Sequence, residues 1–212
     1  MRTLATLSAG VAVLLLAACS QAPPTTATEA KTKNEAAPPA PPAPTGPVSA
    51  KTAFYEMYKP ARAWAPDFAV LSFASKEVPG IDSADGKFGV WTAVLVSPSR
   101  NEARTYTYSV VDSGTTIHKG VSDEGGQVWS GATATSRPFQ SMEWSIDSDA
   151  AYKTAFAKAE SWVKKHPGRK IAFTLANASR FATPVWYLLW GDKASGYAVV
   201  VSATTGTLVN SK

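Results

Sequence analysis

The chain predicts an α+β fold: two similar helix-strand-strand-strand halves with antiparallel sheets, preceded by a disordered tether. Three observations predict it. An amphipathic stripe occurs twice, at a spacing of 98 residues. Three strand-like runs follow each copy in the same order. A proline- and alanine-rich stretch without a single aromatic residue precedes the first copy.

The first stripe is Phe54, Met57, Tyr58, Ala61 and Trp64 within "SAKTAFYEMYKPARAWAP". Apolar residues at i, i+3, i+4, i+7 and i+10 form one face of a helix. Ser49 is placed to cap its start, and Pro60 is expected to kink or restart it. The second stripe is Tyr152, Ala155, Phe156, Ala159, Trp162 and Val163 within "SIDSDAAYKTAFAKAESWVKKHPG". Asp147 or Ser148 can cap that helix, and Pro167-Gly168 stops it. The two stripes superpose residue by residue, from Phe54 on Tyr152 to Trp64 on Trp162.

The strands agree as well. "FAVLSFASK" (68–76) matches "KIAFTLANA" (170–178), and "GVWTAVLVS" (89–97) matches "PVWYLLWGD" (184–192) with a shared Val-Trp. "ARTYTYSVVDSGT" (103–115) matches "GYAVVVSATTGT" (196–207). In "RTYTYSVV", Tyr106, Tyr108 and Val110 alternate with Thr105, Thr107 and Ser109, as in a sheet with one face in water. "VWYLLW" is apolar on both faces. One face should meet the helix of its own half. The other, with Val185, Tyr187 and Leu189, needs a cover, and the two halves are expected to bury part of it together.

The N-terminal region carries no part of this pattern. Arg2 precedes an apolar run of about a dozen residues, shorter than the roughly 20 needed to span a bilayer. The run ends in Leu16-Ala17-Ala18-Cys19, and Cys19 is the one cysteine of the chain. That tetrapeptide resembles the lipobox of bacterial lipoproteins. The resemblance implies cleavage before Cys19, a diacylglycerol thioether on its sulfur and an acylated amino group. Two chains, at about 0.8 kcal/mol per buried methylene, give stable anchoring. Ser20 in place of aspartate implies sorting to the outer membrane, facing the periplasm. Residues 1–18 are therefore read as a signal peptide and 19–50 as the lipidated cysteine and linker. Residues 20–50 hold eight of the fifteen prolines. As polyproline II they would reach about 90–100 Å, and they read as a passive spacer in preference to a recognised proline motif.

The body divides into 51–115 as the first half, 116–144 as a connecting segment and 145–212 as the second half. It resembles the PepSY domain in "DSDAAYKTAFAKA" for the helix, "VWYLLW" for the middle strand and "YAVVVSATTGTLV" for the last. The acidic residue usual before that family's Thr-Gly turn is replaced here by Ser202. The resemblance implies a module that binds or restrains partner proteins and has no catalytic residues of its own.

Chemistry-bearing motifs are sparse. The two histidines, His118 and His166, sit at turns, and no cluster has the spacing of a metal site. "DSADG" (82–86) lacks the alternating carboxylates and distant glutamate of a calcium loop. No phosphate loop, nucleophile elbow or dinucleotide fingerprint occurs, so neither a cofactor nor enzymatic activity is expected. The net charge of +5 is scattered and gives no nucleic-acid footprint. Seven tryptophans all lie in the body. Trp129 and Trp144 in the connecting segment, with Trp186 and Trp190, are either core or a recognition surface. The expected activity is that of a lipid-anchored, non-catalytic protein-binding or regulatory module with an envelope protein partner. The alternative is a carrier of a small apolar ligand lined by Trp186 or Trp190.

Overall fold

The computed structural model describes residues 45–210. Cys19, the stretch 1–18 read as a signal peptide and most of the stretch read as a linker lie outside the described residues. Val48 pairs with Phe88 in both directions at 3.0 Å, and the first helix follows at once. The body therefore starts slightly ahead of residue 51.

Helix α1 spans Ala50–Trp64. Ser49 caps it by accepting from the Thr52 N–H, and Ala53, Phe54, Met57, Ala61 and Trp64 form its buried stripe. Pro60 lies inside the helix without restarting it. Proline removes one N–H and crowds the preceding turn, but the packed stripe on both sides of residue 60 carries the helix through. Helix α2 spans Ser148–Lys165, with Asp147 as its cap. Its last turn carries Lys164 and Lys165, which suit the negative end of the helix dipole. Gly168, at φ 77°, turns the chain beyond it.

Seven strands form one antiparallel sheet. They are β1 (Ala69–Lys76), β2 (Val90–Ser97), β3 (Glu102–Ser109), β4 (Gly120–Val128), β5 (Ile171–Ala176), β6 (Val185–Trp190) and β7 (Tyr197–Ser202). Their order is β4-β3-β2-β1-β5-β6-β7. The first strands of the two halves meet in the centre, where Phe73 lies opposite Leu175. These two residues occupy the same place in the aligned halves. The repeat is therefore related by a local two-fold through that pair, and the expected two sheets are fused edge to edge into one.

Cross-strand partners share a face. The row Tyr106–Ala93–Phe73–Leu175–Trp186–Val201 runs across six strands, and every member is buried. Both helices pack on this face in a single core. The row of the opposite face is Thr107–Thr92–Ala74–Thr174–Tyr187–Val200. It is small and polar over the first half, but it is not the water-facing side that the alternation in β3 predicts, since Thr107 and Ser109 are both buried.

Two expectations are corrected. Because the halves join by edges, neither covers the outer face of β6. Val185 is instead buried in a small cluster with Ala178 and Phe181, against Tyr187, Val200 and Val209. The segment 116–144 is also more than a connection, since it contributes β4. "GVSDEGGQV" has three glycines and two acids. No strand propensity announces it, and its pairing with β3 is what holds it extended. The two outer edges differ. The β7 edge is covered by the chain's own return, with Val209 N–H donating to the Val200 carbonyl. The β4 edge is interrupted by a register shift opposite Arg104–Tyr106 and a left-handed Gly125. Both devices discourage edge-to-edge pairing.

Candidate functional site

An open-sided, largely apolar groove of about 360 Å³ runs along the outer side of α1. Lys51, Phe54, Tyr55 and Tyr58 line one wall, and Ser141 and Trp144 line the other. The helical repeat explains the first wall. Phe54 and Tyr58 lie one turn apart, and Tyr55 stands beside them on the solvent side of the stripe. Tyr55 is 78% exposed and Tyr58 41% exposed, whereas Phe54 is buried. Met142, in the 3-10 turn Ser141–Glu143, is 83% exposed next to Ser141.

The floor is fixed by aromatic packing. The Phe54 ring meets Trp144 at 5.4 Å and Tyr58 at 6.2 Å, both edge-on, and Tyr58 meets Phe68 at 5.6 Å. Edge-on pairs at these separations are favourable beyond their buried area. The second wall is pinned at several points. The Glu143 carboxylate accepts from the Gln140 N–H at 2.7 Å, closing a capping box around the turn. Its carbonyl accepts from the Thr204 hydroxyl at 2.8 Å. Lys51 Nζ donates to the Ser145 carbonyl at 2.7 Å and ties the walls together at one end.

The four tryptophans singled out in the sequence are placed differently from one another. Trp186 is fully buried, and Trp190 and Trp144 are nearly so. The Trp144 and Trp186 indoles both donate to the Ile146 carbonyl, at 2.8 and 2.9 Å. Trp91, the first-half counterpart of Trp186, donates to the Val48 carbonyl at 2.9 Å. The carbonyl acceptors are themselves equivalents, 98 residues apart. These rings are the core of the repeat, and only an edge of Trp144 reaches the groove. Trp129 is half-buried beside the β2–β3 turn, where its backbone N–H donates to the Asn101 carbonyl. Tyr55 and Met142 were not singled out in the sequence. Tyr55 carried a signal, as a large ring off the apolar stripe between Lys51 and Lys59.

The remaining polar chemistry serves turns. Asp67 accepts from the Ser97 hydroxyl at 2.7 Å and the Ser99 N–H at 2.9 Å. These bonds, the Ser97 hydroxyl foremost, hold its carboxyl down at about 2. Glu102 is also held below its ordinary range, chiefly by a hydrogen bond from Arg104. The Arg104 guanidinium bridges Glu102 and Asp123 across β3 and β4. His166 stacks on Trp162 with ring centroids 4.1 Å apart, at the end of α2. His118 is exposed near Asp112. The end of the 82–86 stretch makes a tight turn, with Asp85 at φ 50° and Gly86 between the paired Ala84 and Lys87. Among the described residues, no three His, Cys, Asp or Glu side chains converge as a metal site. No described helix is long and apolar enough to cross a membrane.

No family model matches the chain, and no curated protein does. Among solved structures, a candidate lipoprotein from Clostridium difficile 630 aligns over 78% of this chain and 91% of its own length. The identity is 8% and the TM-score 0.43. A likeness this distant supports no inference about activity.

Proposed function

We propose that the chain is a lipid-anchored protein of the bacterial cell envelope whose body is a non-catalytic docking module for another envelope protein. The observation that carries the reading is the groove beside α1. It presents Tyr55 and Tyr58 to solvent beside Phe54 and Trp144, and Met142 is exposed next to its lining residue Ser141. Exposed aromatic and methionine side chains around a firm apolar floor are the composition of protein-recognition surfaces. Resemblance supplies the rest of the reading. The lipobox-like Leu16–Cys19 motif argues for a fatty anchor at the outer membrane facing the periplasm. The PepSY-like order of elements argues for a binding or restraining role without catalysis.

The alternative, a carrier of an apolar ligand, draws on the same groove but needs enclosure, because carriers bury most of their ligand. Trp186 and Trp190, which were to line such a cavity, pack against Trp91, Phe173 and Tyr152.

The test is photo-crosslinking in intact cells from a benzophenone amino acid at Tyr55, with Lys193 in the β6–β7 turn as the control position. A discrete protein adduct from residue 55 and none from residue 193 is expected. Equal labelling from both positions, or a co-purified apolar small molecule in place of a protein, would overturn the docking reading.

A further inference from the structure

A second pocket lies on the sheet face that carries Tyr187, opposite the helices, where the β5–β6 turn meets the turn 133–137. It holds about 270 Å³ between Ala134, Thr135, Ala178, Ser179, Arg180 and Tyr187. Two backbone bonds fix its walls. The Ser179 N–H donates to the Ala134 carbonyl at 2.8 Å, and the Arg137 N–H donates to the Asn177 carbonyl at 3.0 Å. The Arg180 guanidinium is held against the small outer cluster. It lies 4.8 Å from the Phe181 ring centroid and 5.8 Å from that of Tyr187, and it donates to the Tyr187 hydroxyl at 3.0 Å. Phe181 is itself buried, edge-on to Tyr187. That bond occupies one of the five N–H donors of a guanidinium. Among the described residues, the arginines in ion pairs are Arg100, Arg104 and Arg169, and Arg180 has no carboxylate partner.

We propose that this pocket binds an organic carboxylate, with Arg180 as the ligating residue and the apolar body of the ligand against Ala134, Ala178 and Tyr187. The inference is independent of the docking role of the α1 groove. Three features select the ligand class. The first is charge: a positioned cation without a counter-charge calls for an anion. The second is shape, because the planar guanidinium fork matches the two oxygens of a carboxylate. Arg180 is already stacked and hydrogen-bonded, so pairing immobilises little more of it. The third is the remaining lining. Two alanine methyl groups and a tyrosine ring suit an apolar body, and the Ser179 hydroxyl adds one polar group at the same wall. A phosphate dianion would need several further donors, and such a wall does not supply them.

The experiment titrates the purified, nitrogen-15-labelled full-length chain with sodium phenylacetate and, separately, with its neutral counterpart phenylacetamide. Salt is held at about 0.15 M to screen diffuse attraction. The backbone amide signals of Ala178, Ser179 and Arg180 report binding. Phenylacetate should shift them saturably, with a Kd in the low millimolar range that suits about ten non-hydrogen atoms. Phenylacetamide should bind at least about tenfold more weakly, because it cannot form the charged pair. Arg180→Gln should weaken phenylacetate by a similar factor. Arg180→Lys should weaken it less, since it keeps the charge and loses the fork. Arg169→Gln removes an arginine already paired with Asp192 and should leave the Kd unchanged. Amide signals away from the pocket verify that each variant is folded. Shifts that never saturate would overturn the proposal. So would equal binding of acid and amide, an unchanged Kd in Arg180→Gln, or an equal loss from Arg169→Gln. None of these results bears on an adduct formed from residue 55 in cells.

Discussion

The backbone N–H of Ala50 donates to the hydroxyl of Ser148 at 2.9 Å, and these residues are counterparts in the two halves of the repeat. Next to them, Asp147 accepts from its own Ser148 N–H at 2.7 Å and from the Lys51 N–H at 2.9 Å. Each helix begins with N–H groups that have no partner inside the helix. Here α1 finds its partners in the first residues of α2. The two helix starts are locked together over the local two-fold, above the β1–β5 junction.

This crossing makes the caps unequal. Ser148→Ala leaves the buried Ala50 N–H without an acceptor and should cost about 1–3 kcal/mol. Ser49→Ala removes only exposed bonds, from the Thr52 N–H at 3.4 Å and with the Thr52 hydroxyl at 3.1 Å, and should cost about 0.5–1 kcal/mol. Urea unfolding of the two variants checks the order, and equal losses would contradict the crossing.

The paired tryptophans predict coupling. Trp91 and Trp186 meet edge-on with ring centroids 6.3 Å apart. Trp91→Phe and Trp186→Phe should each cost about 1–3 kcal/mol through a lost hydrogen bond and the space left behind. Their double-mutant cycle should give a coupling of about 0.5–1.5 kcal/mol. An additive pair would mean that the halves do not share one core.

Gly86 predicts a steric limit at the same junction. It has φ 80°, and an added Cβ would run into the Ser148 carbonyl oxygen. Gly86→Ala should destabilise by about 1–3 kcal/mol. Gly80 also has a positive φ but open space around it, so Gly80→Ala should cost less in the same unfolding assay.

Asp67 predicts part of the acid limb. Its carboxyl titrates near 2 in the folded chain against an ordinary 3.8. A depressed value adds stability above the ordinary pKa, and that stability is lost as pH falls from 3.8 toward 2. Asp67→Asn should flatten the dependence of unfolding free energy on pH across this window. An unchanged slope would mean that the Ser97 and Ser99 bonds do not persist in solution.

Most of the framework was legible because it is periodic. The Phe54 and Tyr152 stripes, the Val-Trp pairs and the alternation in β3 each bury a repeating set of side chains. What stayed hidden depends on contacts between distant residues. Nothing in "FAVLSFASK" says that its free edge pairs with "KIAFTLANA" instead of stacking against another sheet. Nothing in "GVSDEGGQV" marks a strand, because its neighbour β3 supplies the order. Trp144 and Trp186 read as core more readily than as surface, but indole suits both settings and the sequence does not decide between them. The groove was legible only in the odd placement of Tyr55 outside its stripe.

The docking role of that groove is tested most directly by quantifying the crosslinked adduct from residue 142 in intact cells, with and without Tyr55→Ser/Tyr58→Ser. Tyr58 also packs edge-on against Phe54 and Phe68, so the unfolding midpoint is measured alongside and adducts are compared at a temperature where both chains are folded. The account predicts that the adduct falls at least about tenfold, as removal of two aromatic anchors worth more than about 1.4 kcal/mol requires. An adduct of undiminished yield from a variant of unchanged stability would contradict it.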